Sequence, residues 1–148
     1  DVLYHVGDFA AWKGDNDAYK FREMINCKNV HLIYGNHDKK LRKHRHLFTW
    51  SGDYLKIIID GQDIILFHYA MRVWDKSHHG AWQLYGHSHG SLPDDPNALS
   101  LDVGVDTELY GHERFMPYSF KELRSIMKKK NWKSVDHHTG KLAEHEKS

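Results

Sequence analysis

Val30-His31-Leu32-Ile33-Tyr34-Gly35-Asn36-His37-Asp38 is the stretch on which the fold turns. A short apolar run closed by a turn residue reads as a buried strand. Val30–Tyr34 is therefore expected to stop at Gly35 and to present Asn36, His37 and Asp38 on the loop that follows. The same form recurs three times. Val2–Val6 runs into Gly7-Asp8, and a strand over Ile64–Tyr69 delivers His68 at its end. Trp82–Tyr85 runs into Gly86-His87-Ser88-His89-Gly90. Strands that repeatedly release polar side chains where they stop describe an α/β layered fold with a site at one sheet edge.

The intervening chain fits that scheme. Asp15–Cys27 reads as a helix, with Asp15 or Asn16 as its N-cap and Tyr19, Phe21, Met24 and Ile25 as its apolar content. Tyr54–Ile59 and Ile64–Tyr69 flank Asp60-Gly61, a strong hairpin signal, although the loop there can extend to Gln62 and Asp63. Leu92–Asn97 is a Pro- and Asp-rich loop, and Leu99–Val105 is the last clear strand. Ser119-Phe120-Lys121-Glu122 has the capping-box pattern before a helix to about Lys130. One domain is expected over 1–130, followed by a polar, charged, loose tail over 131–148.

Composition narrows the classes of function. The formal net charge is +1, so there is no global pull toward nucleic acid. Charge is uneven along the chain, net −3 over residues 1–120 and net +4 over 121–148. No apolar run approaches the roughly 20 residues of a membrane span, and no signal sequence is visible. Cys27 is the sole cysteine, which excludes an internal disulfide and a cysteine-built zinc site. A lone thiol fits a reducing compartment, and a cytoplasmic location is expected. Any metal must be held by His, Asp, Glu or Asn. Histidine is over-represented, with 14 in 148 residues, most of them readable as surface residues.

Taken singly, the candidate ligands have plain explanations. Asp8 and Asn36 suit turns, His68 suits a strand end, and His87 and His89 alternate like surface neighbours. Together they form a mixed N/O set that suits Zn, Mn, Fe or Ni better than Ca.

In order and form, Gly7-Asp8, Gly35-Asn36-His37-Asp38, His68 and Gly86-His87-Ser88-His89 resemble the signature of the calcineurin-like metallophosphoesterases, from Asp1 to about Asp106. The resemblance is to small phage- and bacterial-type members. It implies a β-sandwich flanked by helices and a binuclear centre of two divalent ions (Mn, Fe, Ni, Zn or Mg). A metal-bound hydroxide there would hydrolyse phosphate mono- or diesters, from a phosphorylated small molecule or a nucleic acid. By the same resemblance Asp8 bridges the ions and Asn36, His68 and His87 complete the second site. His89 binds the first ion. His37 is the catalytic acid or stabiliser at the leaving oxygen, and Asp38 orients it.

One family block, Asp-x-His on the first strand, is absent from its place: Asp1 is followed by Leu3, and the chain does not open with Met. An upstream segment is therefore expected, and a missing first strand would expose a sheet edge. Asp136-His137-His138 is the sole Asp-x-His in the chain and a remote candidate to replace it. A rival reading is a non-catalytic nucleic-acid- or protein-binding domain with a degenerate metal site. Lys39–His46 is either a basic rim for phosphate or a solvated helix face, with the latter favoured. Tyr69, Arg72, Trp74, Trp82 and Tyr85 flank the histidine blocks as stacking groups or, in the main, as core and wall.

Overall fold

The computed structural model describes residues 1–9 and 15–136. Two sheets organise them into a mixed α/β architecture. The first sheet is parallel throughout, in the order β1 (Val2–His5), β2 (Asn29–Ile33), β3 (Trp50–Gly52). The second contains β4 (Tyr54–Ile59), β5 (Gln62–Phe67), β6 (Trp82–Tyr85) and β7 (Ser100–Asp102). Its first pair is antiparallel and the other two are parallel.

β2 is central in its sheet, and its Val30, Leu32 and Ile33 are fully buried, as in a covered parallel strand. Val30, Leu32 and Tyr34 pack with Ala18, Leu41 and Phe48 on one side. Ile33 points the other way, into a core with Ile64, Leu66, Leu84 and Leu101. Helix α2 (Phe120–Lys129) closes that second core with Leu123, Ile126 and Met127, a one-sided helical stripe. Ser119 caps α2 by accepting the Glu122 N–H at 3.1 Å. The Glu122 carboxylate goes instead to His112 Nδ1 at 2.6 Å, so the reciprocal half of the capping box is diverted.

The Asp60-Gly61 turn is the two-residue form: both residues have positive φ, 48° and 76°, and Ile59 pairs with Gln62. Helix α1 (Asp15–Met24) stops earlier than the sequence pattern suggests. Arg22 holds the chain beyond that stop, its guanidinium donating to the carbonyls of Ile25, Cys27, Lys28 and Leu47. These bonds fix the chain in the non-helical path that follows Met24 and tie it to the end of the Lys39–Leu47 segment. Tyr19, Phe21 and Met24 are exposed, and Ala18 is the residue of α1 that is fully buried.

β3 is too short to announce itself and exists through its pairing with β2. β7 is three residues rather than seven, because the Asp102 carboxylate takes the Gly104 N–H at 3.0 Å and turns the chain. Lys39–Leu47 forms a 3-10 segment with Leu41 buried beneath its charged face. The first residues after α2 are tied down, Asn131 and Lys133 donating to the carbonyls of Pro96 and Asn97. His137 and His138 of the alternative Asp-x-His lie outside the described residues. No helix among the described residues is long and apolar enough to cross a membrane.

Candidate metal centre

β1, β2, β5 and β6 all deliver their C-terminal ends to one place, the position where open α/β sheets form sites. The β1 and β2 loops meet there at very short range. A Cβ on Gly7, whose φ is +97°, would lie 2.2 Å from His68 Nδ1. One on Gly35 would lie 2.3 Å from Asp8 Oδ1 and 2.5 Å from Asp8 N. No larger residue allows this approach.

Asp38 fastens the two loops together. It is fully buried, and its carboxylate accepts the N–H groups of Asp8 at 2.7 Å, Phe9 at 3.0 Å and Gly35 at 2.7 Å. Burial raises its pKa, and these three donors work against that rise. The bonds of Asp38 thus run to loop backbone, whereas the sequence reading had it orient the His37 ring. Asp8 itself sits at φ +55° and accepts the His37 N–H on Oδ1 at 3.0 Å.

His68 is the best-defined donor. It is fully buried, and its Nδ1 lies 2.8 Å from the Val6 carbonyl oxygen. A carbonyl only accepts, so Nδ1 carries a proton, and in the neutral ring Nε2 presents a lone pair. That Nε2 faces Asn36 Oδ1 at 3.0 Å, His87 Nδ1 at 3.1 Å and Asp8 Oδ2 at 3.3 Å. Asn36 Oδ1 and His87 Nδ1 are themselves 3.1 Å apart. Amide and carboxylate oxygens are acceptors as well, so electron pairs converge without a proton for each. A cation at their centre resolves the repulsion. Metal–ligand bonds of about 2.0–2.2 Å place neighbouring ligand atoms about 3.0–3.5 Å apart, which matches the spacing here. The donor set therefore fits a divalent ion of the N/O-binding kind.

The expected residues do not all gather. Asp8, His68 and His87 are the one group of three or more His, Cys, Asp and Glu residues among the described residues with donor atoms within 4.8 Å of one another, and the Asn36 oxygen joins them. His89 stands apart. It is exposed, with φ +48°, and its Nδ1 pairs with Asp106 Oδ2 at 2.7 Å, a hydrogen bond that raises its pKa. His37 is exposed beside the group.

Two further residues shape the surroundings of the site. Asp102, fully buried, accepts the Gly90 N–H at 2.9 Å and so fixes the end of the His87–His89 loop. His5 has its Nδ1 buried without a partner, and burial lowers its pKa to about 4. A polar residue inside an apolar strand was the available signal for His5. An apolar cleft of about 530 Å³ lies beside β1, lined by Leu3, Ile57, Leu66, Val103 and Leu123 and reaching Asp8 and His89.

No protein-family model matches the chain, and no curated protein matches it. Two solved structures share its fold. One is a novel archaeal phosphodiesterase, 20% identical, with a TM-score of 0.50 over 75% of this chain and 72% of that one. The other is a protein of unknown function from Aquifex aeolicus, also 20% identical, with a TM-score of 0.51 over 72% of this chain and 68% of that one.

Proposed function

We propose that this chain is a metal-dependent hydrolase of phosphate mono- or diesters, with a metallophosphoesterase-type arrangement of its sheets and two divalent ions. The observation that carries the reading is the convergence of Asp8, Asn36, His68 and His87 on one point, with His68 held in the tautomer that a ligand needs. The shared fold with an archaeal phosphodiesterase supports it.

In this reading Asp8, Asn36, His68 and His87 hold one ion, and Asp8 with His89 contributes to the second. Bound divalent ions supply a Lewis acid for the phosphoryl oxygens and lower the pKa of water. His37, exposed where the β2 loop meets Asp8, protonates or stabilises the departing oxygen. Asp38 is a positioning residue that acts through the loop backbone. A second reading, a metal-binding domain without hydrolysis, is favoured by one observation: His89 stands outside the ligand group and is engaged by Asp106.

The deciding experiment measures bound metal per chain together with hydrolysis of p-nitrophenyl phosphate and bis-p-nitrophenyl phosphate under added Mn, Ni, Zn or Mg. Metal-dependent turnover is expected. His37→Ala should lower kcat by about 10²–10⁴-fold and leave metal content intact. Bound metal without turnover would establish the binding-domain reading. Absence of metal would sink both.

A further inference from the structure

The aromatic residues near the histidine blocks separate sharply by environment. Trp82 and Tyr85 are buried at 5% and 3% exposure and belong to the core. Trp74 donates its Nε1–H to the Ala81 carbonyl at 2.9 Å and closes its own loop. Tyr69 is different, 40% exposed at the edge of the ligand group. Its ring centroid is 4.7 Å from that of His87 and 5.0 Å from that of His68.

An exposed tyrosine alone needs no explanation. The loop that carries this one is held by a buried device. Gln83 is fully buried in β6, and its amide donates to the Tyr69 carbonyl at 3.1 Å. Its Oε1 accepts the Met71 N–H at 3.1 Å. His68, next in the chain, accepts the N–H groups of Gly86 and His87 on its carbonyl at 3.1 and 3.0 Å. The backbone on both sides of Tyr69 is thus pinned to β6 and to the histidine loop. The ring is therefore carried on a fixed backbone and packs against His68 and His87, which leaves little ordering to be lost on contact.

We propose that Tyr69 is a specificity residue: a stacking wall for a flat aromatic group carried by the phosphate ester, so that the site prefers aryl or nucleoside phosphates to alkyl ones. This rests on the metal-hydrolase reading above. A phosphate held at the ions leaves its ester substituent within reach of the neighbouring ring. Stacking tolerates any π face, so selection is for an aromatic group rather than for one base.

The test is calorimetric titration of the Mn-supplemented full chain with methyl phosphate, phenyl phosphate and adenosine 5′-monophosphate, each as its non-hydrolysable phosphonate. The two ring-bearing esters should bind about fivefold or more tighter than methyl phosphate. Tyr69→Leu should reduce that preference to less than about twofold, and Tyr69→Phe should retain it. Methyl phosphate should bind wild type and Tyr69→Leu alike. A stronger preference for the nucleotide than for phenyl phosphate identifies a nucleoside ester; equal preference identifies aryl esters at large. Binding that ignores the ring, or a preference that survives Tyr69→Leu, overturns this inference and leaves the metal site standing. Failure of all three esters to bind overturns this inference, and joined to absent turnover of bis-p-nitrophenyl phosphate it overturns the metal-hydrolase reading as well.

Discussion

Asp38 holds three backbone N–H groups with two oxygens in a fully buried place. An asparagine there keeps one oxygen and turns an NH₂ group toward a donor, so at least one buried N–H loses its partner. The cost should be about 3 kcal/mol. Asp38→Asn is therefore expected to unfold at clearly lower denaturant and to bind Mn more weakly, though Asp38 is not a ligand. Unchanged stability would show that the loops are held by something else. His5 gives a pH dependence of definite sign. Its folded pKa is about 4, against 6.5 for the free side chain. Between those values the unfolded chain binds a proton that the folded chain refuses, so stability falls as the pH drops from 6.5 toward 4. The loss from this residue should reach about 3 kcal/mol. His5→Leu should flatten the denaturation midpoint across that window, and an equally steep profile in the variant would exclude His5 as the cause.

At the scale of elements, the loops after β1 and β2 work as one unit because two glycines let their backbones touch. Gly35→Ala would put a methyl 2.3 Å from the Asp8 carboxylate and 2.5 Å from its nitrogen, which is backbone and cannot yield cheaply. Metal affinity should fall at least tenfold, read by competition with a chromogenic chelator, and stability should drop by about 2 kcal/mol. An alanine variant with native metal affinity would mean that the loops are not in contact as described. These glycines were legible in the sequence because each follows an apolar strand and precedes a ligand-type residue. β1, β2, β4, β5 and β6 were legible for the same reason, each being a run with a clear stop. What could not be read was anything decided by a distant partner. β3 is a strand only because β2 lies beside it, the chain beyond α1 is held where Arg22 gathers four carbonyls, and Asp38 turned out to serve the β1 loop rather than its neighbour His37. Nothing local in the sequence reveals that the Asp102 carboxylate reaches the Gly90 N–H.

At the scale of the whole molecule, the ligand group joins the two sheets. Asp8 and Asn36 come from loops of the first sheet, and His68 and His87 from loops of the second. An ion bound there links them by bonds that exist only in the folded chain, so its binding free energy adds to folding stability. At a free metal concentration of 100 times Kd the gain is about 2.7 kcal/mol, which raises Tm by roughly 5–10 °C for a chain of this size. Mn, Ni or Zn should raise Tm by that order over the EDTA-treated protein, and the increment should grow with metal concentration. His87→Ala removes one ligand from the second sheet's side. It should abolish most of the increment while leaving the EDTA value nearly unchanged. His46→Ala, an exposed histidine outside the ligand group, should behave as wild type in both conditions. If Tm proved indifferent to metal in the wild-type chain, the sheets would be held by their apolar cores alone. The four converging donors would then have to be explained without an ion.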